Sequence, residues 1–505
     1  MKKLLSIGLA FGLALTGVLP SYANYADLSH EMTGVNQIHK AGFLGEGTTI
    51  AFIDQGVNLA HPDFQGKVID GYCAQSAPVC PNGQTEMSGP AAGAQRTING
   101  VLVSEEDHGN MVAGIGAGNP SAESPGGVAP KANILMANTD LREDSILKAL
   151  KYIKSVVQKH NIVAVSMSFG GGVPLAKRDW LICDRNPIIS EMATVLKEIR
   201  DLGAIPFASA GNYPVLDSDL SSFPSCLKDV VSVGSVNELG EISIYVTMSK
   251  KIQLLGPDFT KAPATTGYRT ASGTSAATPF VAGSYALLRS AFPNVQPEKL
   301  LEILTSTGRP VDDIIVKGKP LVNLPAAFQV ASGAPQDFVA CTNPKVTNVR
   351  PSVSKGDVFL NITVDPKCTG NLRVLLGSFR MANDLEVVLT REIAKKTTFT
   401  IKIPRSQNAS LPKWHAVVTL NGQKLWERDY SEDCEIDWQY ISGSGGSQKS
   451  RITASCPAVF SVTVGNRVVF NRLVSKSAIV TFSNPRNEKV TIRYMNSIWL
   501  SYGGR

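Results

Sequence analysis

Four short segments carry side chains whose chemistry could be combined in one reaction. Asp54 follows an apolar run, His108 precedes a segment of small residues, Asn212 follows a glycine, and Ser275 lies among small residues. A serine hydroxyl can attack a carbonyl carbon, and a histidine can take up the proton that the hydroxyl loses. A carboxylate can orient that histidine, while an amide can donate a hydrogen bond to the resulting oxyanion. The four residue types together predict nucleophilic catalysis.

Taken singly, each of these residues has an ordinary structural role. An aspartate after a strand usually forms a turn, and a Gly-Asn pair usually does the same. A serine before a helix is usually its N-cap. His108 alone is compatible with a surface or capping position. The prediction therefore depends on the set and on its order along the chain, which is aspartate, histidine and then serine.

The elements that must position these residues alternate between strand-like and helix-like segments over residues 24–331. Buried strands end just before Asp54 and Asn212, and the carboxyl ends of parallel strands face the ligand crevice in such sheets. We therefore expect an α/β fold, a parallel sheet with helices on both faces. Predicted strands cover residues 48–53, 133–137, 162–167, 204–208 and 229–236, and predicted helices cover residues 144–160, 188–202, 279–292 and 297–305.

With these motifs in this order, the sequence resembles the subtilisin-like serine peptidases, the subtilase family, over roughly residues 33–330. The segments 58–64, 127–130, 165–171 and 278–283 match further family motifs. The resemblance implies a serine endopeptidase that works through an acyl-enzyme, with Asp54, His108 and Ser275 as a catalytic triad. It also implies an oxyanion hole that includes Asn212, and a substrate strand lying beside Ser168, Phe169 and Gly170.

Several positions depart from the family pattern without removing a catalytic group. Gln55 replaces the usual Thr or Ser, Met111 replaces a second histidine, and Ala276 replaces a common methionine after the nucleophile. Alanine at that position predicts better tolerance of peroxide, because a methionine there is open to oxidation. Residues 242–260 match the family poorly. Phe169 and Tyr213 are candidates for the main pocket, but the substrate assignment stays open.

No cofactor is expected to be required, and the sequence assigns no metal site. The resemblance implies a possible Ca²⁺ site at Asp63, which matches a carboxylate that often binds calcium in this family. A single aspartate does not make a calcium site, since Ca²⁺ takes six to eight oxygen ligands. Other ligands would come from a loop such as residues 119–127.

Length and composition indicate a globular protein of several domains. The chain has 505 residues, 43% of them hydrophobic and 18% charged, with a net charge of +7. These values exclude a largely disordered or collagen-like chain. At about 150 residues per domain, three domains are expected. The charge is too mild to indicate nucleic acid as a partner. The expected partners are protein or peptide substrates.

The first 23 residues read as a signal peptide, with two lysines, an apolar stretch and small residues before a cleavage point after Ala23. No later apolar stretch is long enough to span a membrane. The protein is therefore expected to be secreted, into the periplasm or the exterior. Eight cysteines behind such a signal indicate disulfides. Pairing of neighbours predicts Cys73–Cys80, Cys183–Cys226, Cys341–Cys368 and Cys434–Cys456.

Residues 336–505 are predicted to form a β-rich C-terminal domain, in one module or in two split near residues 442–447. This region holds 23 Lys and Arg against 13 Asp and Glu. It could bind an anionic surface or partner, or its basic face could simply be solvated on a stabilising domain. A second alternative concerns the whole chain, which could be a catalytically inactive subtilase used as a binding or adhesion module.

Overall fold

The computed structural model describes most of the chain. It covers residues 25–170, 183, 187–213, 221–312, 317–333, 344–354, 357–366, 370–377, 385–402, 415–421, 423–429, 436–444, 447–454, 458–474, 477–484, 488–494 and 497–502. The predicted signal peptide, residues 1–23, lies outside the described residues. Among the described helices, none is both long and apolar enough to cross a membrane.

The first part of the chain alternates helices and strands. Its helices are α1 (Tyr25–Thr33), α2 (Val35–Lys40), α3 (His108–Ala117), α4 (Glu143–Val156), α5 (Pro187–Asp201), α6 (Thr274–Ala291), α7 (Pro297–Ser306) and α8 (Leu324–Ser332). Its strands are β1 (Thr49–Asp54), β2 (Val68–Ala74), β3 (Glu86–Ser88), β4 (Thr97–Ile98), β5 (Val101–Leu102), β6 (Asn133–Thr139), β7 (Ile162–Met167), β8 (Ile205–Ser209), β9 (Val231–Val236), β10 (Ile252–Pro257), β11 (Lys261–Pro263), β12 (Tyr268–Thr270), β13 (Arg309–Val311) and β14 (Lys319–Leu321).

Ten of these strands form one sheet in the order β13-β14-β10-β9-β8-β7-β1-β6-β2-β3. Its seven central pairings, from β14 to β2, are parallel, and the edge strands β3 and β13 are antiparallel to their neighbours. Strand β1 lies between β7 and β6, so the residue after each of these strands emerges at the same edge. The α/β fold predicted from the alternating pattern is confirmed.

Helices cover both faces of this sheet because the central strands are apolar on both sides. On β1, Ile50 and Phe52 belong to a core shared with α3 and α6, whereas Ala51 and Ile53 belong to a core shared with α4 and α5. This alternation follows from the period of two along a strand. Every residue of β1 is buried, including Asp54.

Helix α6 begins earlier than predicted. The sequence predicts a helix over residues 279–292, but α6 runs over Thr274–Ala291 with Pro279 inside it. The first turn forms because other segments satisfy its polar groups: Thr274 N–H donates to the Asn212 side chain, at 2.9 Å. Five residues before Pro279 are therefore helical.

The C-terminal part is β-structure. Its strands are β15 (Lys345–Ser354), β16 (Asp357–Asp365), β17 (Gly370–Gly377), β18 (Leu385–Ile393), β19 (Thr397–Lys402), β20 (His415–Leu420), β21 (Gln423–Asp429), β22 (Ile436–Ser444), β23 (Ser447–Ala454), β24 (Ala458–Val464), β25 (Arg467–Val474), β26 (Ser477–Ser483), β27 (Val490–Tyr494) and β28 (Ser497–Tyr502).

These strands repeat one topology twice. The first seven form sheets β15-β16-β19 and β18-β17-β20-β21, and the last seven form β22-β23-β26 and β25-β24-β27-β28. Each set therefore has a three-stranded and a four-stranded sheet with the same order of strands. Of the predicted split near 442–447, residues 442–444 and 447 lie at the paired ends of β22 and β23, and the change from one set to the next falls after β21. The predicted domain limits stay a prediction.

Two disulfides lie among the described residues, Cys73–Cys80 and Cys183–Cys226. Both match the pairing of neighbouring cysteines predicted from the sequence. The predicted pairs Cys341–Cys368 and Cys434–Cys456 lie outside the described residues.

Candidate active site

A carboxylate and an imidazole meet at the carboxyl end of β1. Asp54 is the last residue of β1 and is fully buried, while His108 is the first residue of α3. His108 Nδ1 lies 2.9 Å from Asp54 Oδ2 and 3.0 Å from Oδ1. A neutral imidazole that donates from Nδ1 keeps Nε2 free to accept a proton. This geometry orients His108 as a proton acceptor.

Burial lowers the pKa of His108, but Coulomb attraction to Asp54 and the hydrogen bond that His108 donates to it together outweigh burial, so the pKa is raised above its ordinary value. Arg269 lowers the pKa slightly, and Asp107 raises it. The imidazolium form is therefore stabilised at this position, as a general base requires when it takes up a proton.

Two glycines allow β1 and α3 to approach this closely. A Cβ on Gly109 would lie 2.0 Å from the carbonyl oxygen of Gly56. Gly56 itself has a φ of +84°, in the left-handed region that glycine adopts without strain. The turn after Asp54 and the start of α3 are thus in direct backbone contact, which sets the separation of Asp54 and His108.

Ser275 lies in the first turn of α6 and is half-buried. Asn212 joins this turn from the end of β8: its Oδ1 accepts from Thr274 N–H at 2.9 Å and from Thr274 Oγ1 at 2.8 Å. Because the oxygen is engaged, the Asn212 NH₂ group is the part left to point into the crevice. Asn212 therefore lies next to Ser275 with its donor available.

Ser168, which directly follows β7, is bonded to Ser275 in both directions. Ser168 Oγ donates to the Ser275 carbonyl at 3.0 Å, and Ser275 Oγ donates to the Ser168 carbonyl at 3.1 Å. The Ser275 carbonyl would normally accept from the residue four positions later, which is Pro279 and has no N–H. Ser168 supplies the donor that Pro279 lacks.

The predicted substrate strand continues from this contact. Ser168 is buried, Phe169 is half-buried and Gly170 is exposed. Phe169 packs against the core between the sheet and helices α4 and α5, and its carbonyl accepts from Ser209 Oγ at 3.2 Å. The chain thus emerges from the core at Gly170, at the edge where β1 also ends.

The sequence-predicted residues therefore form three bonded groups: Asp54 with His108, Ser168 with Ser275, and Asn212 with Thr274. Among the hydrogen bonds of the described residues, none joins His108 to Ser275, whose hydroxyl donates to the Ser168 carbonyl. Catalytic hydrogen bonds are often formed only when substrate is bound.

A small polar pocket opens beside this site, lined by Gln55, Arg96, Glu106 and Asp140 among others.

Sequence reasoning missed residues that hold the site from behind. Asp258 directly follows β10, is buried, and accepts hydrogen bonds from Ser243 and Tyr245. Tyr245 Oη accepts in turn from Gly273 N–H at 2.9 Å, two residues before Ser275. The poor match of residues 242–260 to the family hid them. The sequence did offer one signal for Asp258, which is a carboxylate directly after a parallel strand. The same pattern identified Asp54.

Asp63 is buried and is held by protein groups. Tyr268 Oη donates to its Oδ1 at 2.6 Å, and His61 Nδ1 lies 3.5 Å from the same oxygen. In the described part of the chain, no group of three or more His, Cys, Asp and Glu is arranged to hold a metal ion. Its other oxygen, Oδ2, is buried and accepts no hydrogen bond among the described residues, but one carboxylate supplies too few of the six to eight oxygens that Ca²⁺ takes.

Comparison with known proteins agrees with the motifs. A sequence model of the subtilase family, Peptidase_S8, matches residues 45–325. The major intracellular serine protease of Bacillus subtilis strain 168 is 27% identical over 259 residues, which is 49% of this chain and 70% of that protein. Subtilisin E of the same strain is 24% identical over 327 residues, covering 61% and 75%.

A third relative, the extracellular basic protease of Dichelobacter nodosus, is 26% identical over 308 residues, covering 54% of this chain and 48% of that protein. Among solved structures, sphericase aligns at 21% identity with a TM-score of 0.44, covering 57% of this chain and 97% of that one. The family match spans more than half of the chain and contains every residue of the site above. The chain therefore belongs to the subtilase family of serine endopeptidases.

Proposed function

We propose that this protein is a secreted endopeptidase that cleaves peptide bonds with Asp54, His108 and Ser275 through an acyl-enzyme. The observation that carries the proposal is the hydrogen bond between buried Asp54 and His108 Nδ1, at 2.9 Å. That bond lies at the sheet edge where Ser275 begins α6 and where Asn212 caps the same helix turn. A buried carboxylate, an oriented imidazole and a hydroxyl at one edge are the groups that acyl transfer requires.

In the first step, Ser275 Oγ attacks the carbonyl carbon of the scissile bond while its proton passes to His108 Nε2. Ser275 must first release the Ser168 carbonyl, which a rotation of its side chain allows. His108 then gives the proton to the leaving amine, and the acyl group stays on Ser275. After the amine has left, a water molecule gives a proton to His108 and attacks this ester. His108 then returns that proton to Ser275 Oγ as the ester C–O bond breaks and the carboxylic acid leaves. Asp54 stabilises the imidazolium in both halves.

The negative oxygen of each tetrahedral intermediate is stabilised by the Asn212 NH₂ group and the Ser275 N–H. Asn212 is suited to this role because Thr274 binds its carbonyl oxygen twice and so fixes the orientation of the amide. Loss of one such donor typically lowers kcat by about 10²–10³-fold. The peptide is proposed to lie extended beside residues 168–170, as an added strand.

The test is labelling of the purified full-length protein with a fluorophosphonate, which reacts with activated serines. We expect stoichiometric label on the parent and none on Ser275→Ala. Ser190→Ala, an exposed serine of α5, is the matched control and should label like the parent. A folded parent that takes no label contradicts the proposal and supports the alternative of a catalytically inactive subtilase. No observation on the described residues favours that alternative.

Secretion is proposed from the predicted signal peptide. The relatives do not decide it, since one is named intracellular and another extracellular. Fractionation of an expressing culture, followed by N-terminal sequencing, is the test. We expect the exported protein to begin at Asn24, and a cytosolic protein that retains residues 1–23 contradicts the proposal.

Calcium at Asp63 and binding of an anionic surface by the C-terminal domain stay predictions.

A further inference from the structure

One short stretch of chain contacts both sides of the proposed oxyanion hole. We name residues 243–247 the bracing segment. At one end, Tyr245 Oη accepts from Gly273 N–H at 2.9 Å, in the turn that leads into Ser275. At the other end, Thr247 N–H donates to the Gly211 carbonyl at 2.9 Å, and Thr247 Oγ1 donates to the Tyr213 carbonyl at 2.9 Å. Gly211 and Tyr213 flank Asn212.

The bracing segment is itself anchored by a buried carboxylate. Ser243 Oγ donates to Asp258 Oδ2 at 2.5 Å, and Tyr245 Oη donates to the same oxygen. Because the Tyr245 proton is used by Asp258, its oxygen lone pairs face Gly273, and the direction of that hydrogen bond is fixed. Thr247 and Ser243 are buried, whereas Ile244 between them is 88% exposed. Val246 is buried in an apolar cluster with Val236 and Leu255, so hydrogen bonds and apolar packing together hold the segment.

The turn that precedes the bracing segment is covered by the C-terminal domain. Residues 237–241 form this turn, closed by Asn237 N–H donating to the Glu241 carbonyl at 2.8 Å. Leu239, at its tip, is 6% exposed and packs in a small apolar cluster with Leu375 and Val417 of the C-terminal domain. An ion pair between Lys424 and Glu241 lies beside this cluster. The C-terminal domain thus packs on this turn, which hydrogen bonds to the Asn237 side chain also close.

We propose that Tyr245 is a positioning residue for the Ser275 turn, and that docking of the C-terminal domain on Leu239 keeps Tyr245 in place. The proposal rests on the proposed roles of Ser275 and Asn212. It gives the C-terminal domain a function in the reaction itself: the docked domain fixes the turn 237–241, which fixes the bracing segment. The bracing segment then holds Gly273 and the turn around Asn212 in place. This sets the separation of the two oxyanion donors, the Asn212 NH₂ group and the Ser275 N–H, that the transition state needs.

The first test is Tyr245→Phe, which removes one hydroxyl and leaves the ring. The Gly273 N–H then loses its acceptor, and loss of one such bond is expected to lower kcat about tenfold. KM should stay within about twofold, because the proposed substrate strand at residues 168–170 is untouched. Tyr440→Phe is the matched control, since Tyr440 is 62% exposed on the C-terminal domain. An unchanged kcat in Tyr245→Phe overturns the positioning role.

The second test is a double-mutant cycle between Leu239→Ala and Tyr245→Phe, with Leu202→Ala as the control for loss of a leucine at an exposed position. Each rate is divided by the concentration of active sites, counted by fluorophosphonate labelling, so that unfolded protein does not lower the kcat that is compared. We expect Leu239→Ala to lower kcat several-fold alone and to have little further effect on Tyr245→Phe. Equal effects in both backgrounds, or a normal kcat in Leu239→Ala, overturn the link to the C-terminal domain.

These outcomes are distinct from failure of the proposed function. A parent that takes no fluorophosphonate label removes the catalytic role of Ser275, and this proposal with it. A parent that labels and turns over, beside a Tyr245→Phe variant with the same kcat and KM, leaves the endopeptidase proposal intact and overturns the positioning role alone.

Discussion

The imidazole of His108 lies near a buried carboxylate and a partly exposed ion pair. Asp54 is fully buried, and Arg269 is 3.0 Å from Asp107 at the start of the same helix. Asp54 outweighs burial, so the pKa of His108 lies above the ordinary histidine value of about 6.5. A protonated His108 cannot accept the Ser275 proton. Activity should therefore be lost on acidification at a pH above the one expected for an unperturbed histidine.

We predict that the acid limb of the kcat/KM profile has its midpoint above about pH 6.5. Arg269→Gln should move the midpoint further up, because the arginine charge lowers the pKa of His108. Asp54→Asn should move it down, since burial then acts without an opposing carboxylate. The measurement is kcat/KM against pH with one peptide substrate. A parent midpoint at or below 6.5 contradicts the assigned role of Asp54.

At the scale of elements, the contact between the turn after β1 and the start of α3 sets the active-site geometry. We predict that Gly109→Ala loses activity, because its Cβ would lie 2.0 Å from the Gly56 carbonyl oxygen and backbone must move. Overpacking of this kind costs about 1–3 kcal/mol or more of unfolding free energy. Fluorophosphonate labelling and urea unfolding measure the two effects.

Gly47→Ala separates this steric effect from backbone strain. Gly47 has a φ of +76°, but nothing lies within 4 Å of a Cβ placed on it. It should cost only the left-handed strain of about 1–2 kcal/mol and leave labelling unchanged. Equal labelling of both variants would show that the separation of β1 and α3 does not control the site.

The first turn of α6 depends on a donor from β7. Ser168→Ala should leave the Ser275 carbonyl without its donor, since Pro279 has no N–H to offer. An unsatisfied carbonyl costs about 1–3 kcal/mol of unfolding free energy when it is fully buried, and this one is part-buried, so the cost should lie at the lower end of that range. Urea unfolding of Ser168→Ala beside Ser306→Ala, at the exposed end of α7, measures this cost. Equal stability of the two variants would contradict it.

At the scale of the whole molecule, a buried ion pair joins the two parts of the chain. Arg373 Nε on β17 lies 2.6 Å from Glu31 Oε2 on α1, with side chains that are 11% and 4% exposed. Breaking such a pair by removing one partner costs about 3–5 kcal/mol, because the other charge stays buried. We therefore predict strong destabilisation of the full-length protein by Arg373→Met.

The comparison variant is Lys299→Met, which breaks an exposed pair with Glu302 within α7. Surface pairs contribute about 0–1 kcal/mol, so this variant should unfold close to the parent. The urea midpoint, followed by fluorescence, is the measurement. Similar midpoints for Arg373→Met and the parent would mean that the two parts of the chain unfold independently of this contact.

The sequence by itself determined the parallel sheet and the identity of the candidate site residues. Alternating apolar runs and amphipathic segments are local patterns, so strands such as β7, predicted over residues 162–167, were located correctly. The position of Asp54 at the end of its strand is likewise a local pattern, visible in the sequence. Where the sequence prediction missed, as at the start of α6, the cause was a capping group from a distant segment.

Only the tertiary structure decided what supports these residues. The Ser168–Ser275 bonds join residues 107 positions apart, and the Tyr245–Gly273 bond joins residues 28 positions apart. The Arg373–Glu31 pair and the Leu239 cluster join separate parts of the fold. Such contacts follow from how the elements pack. A linear pattern records what each residue can do, but it does not record which distant partner packing brings to it.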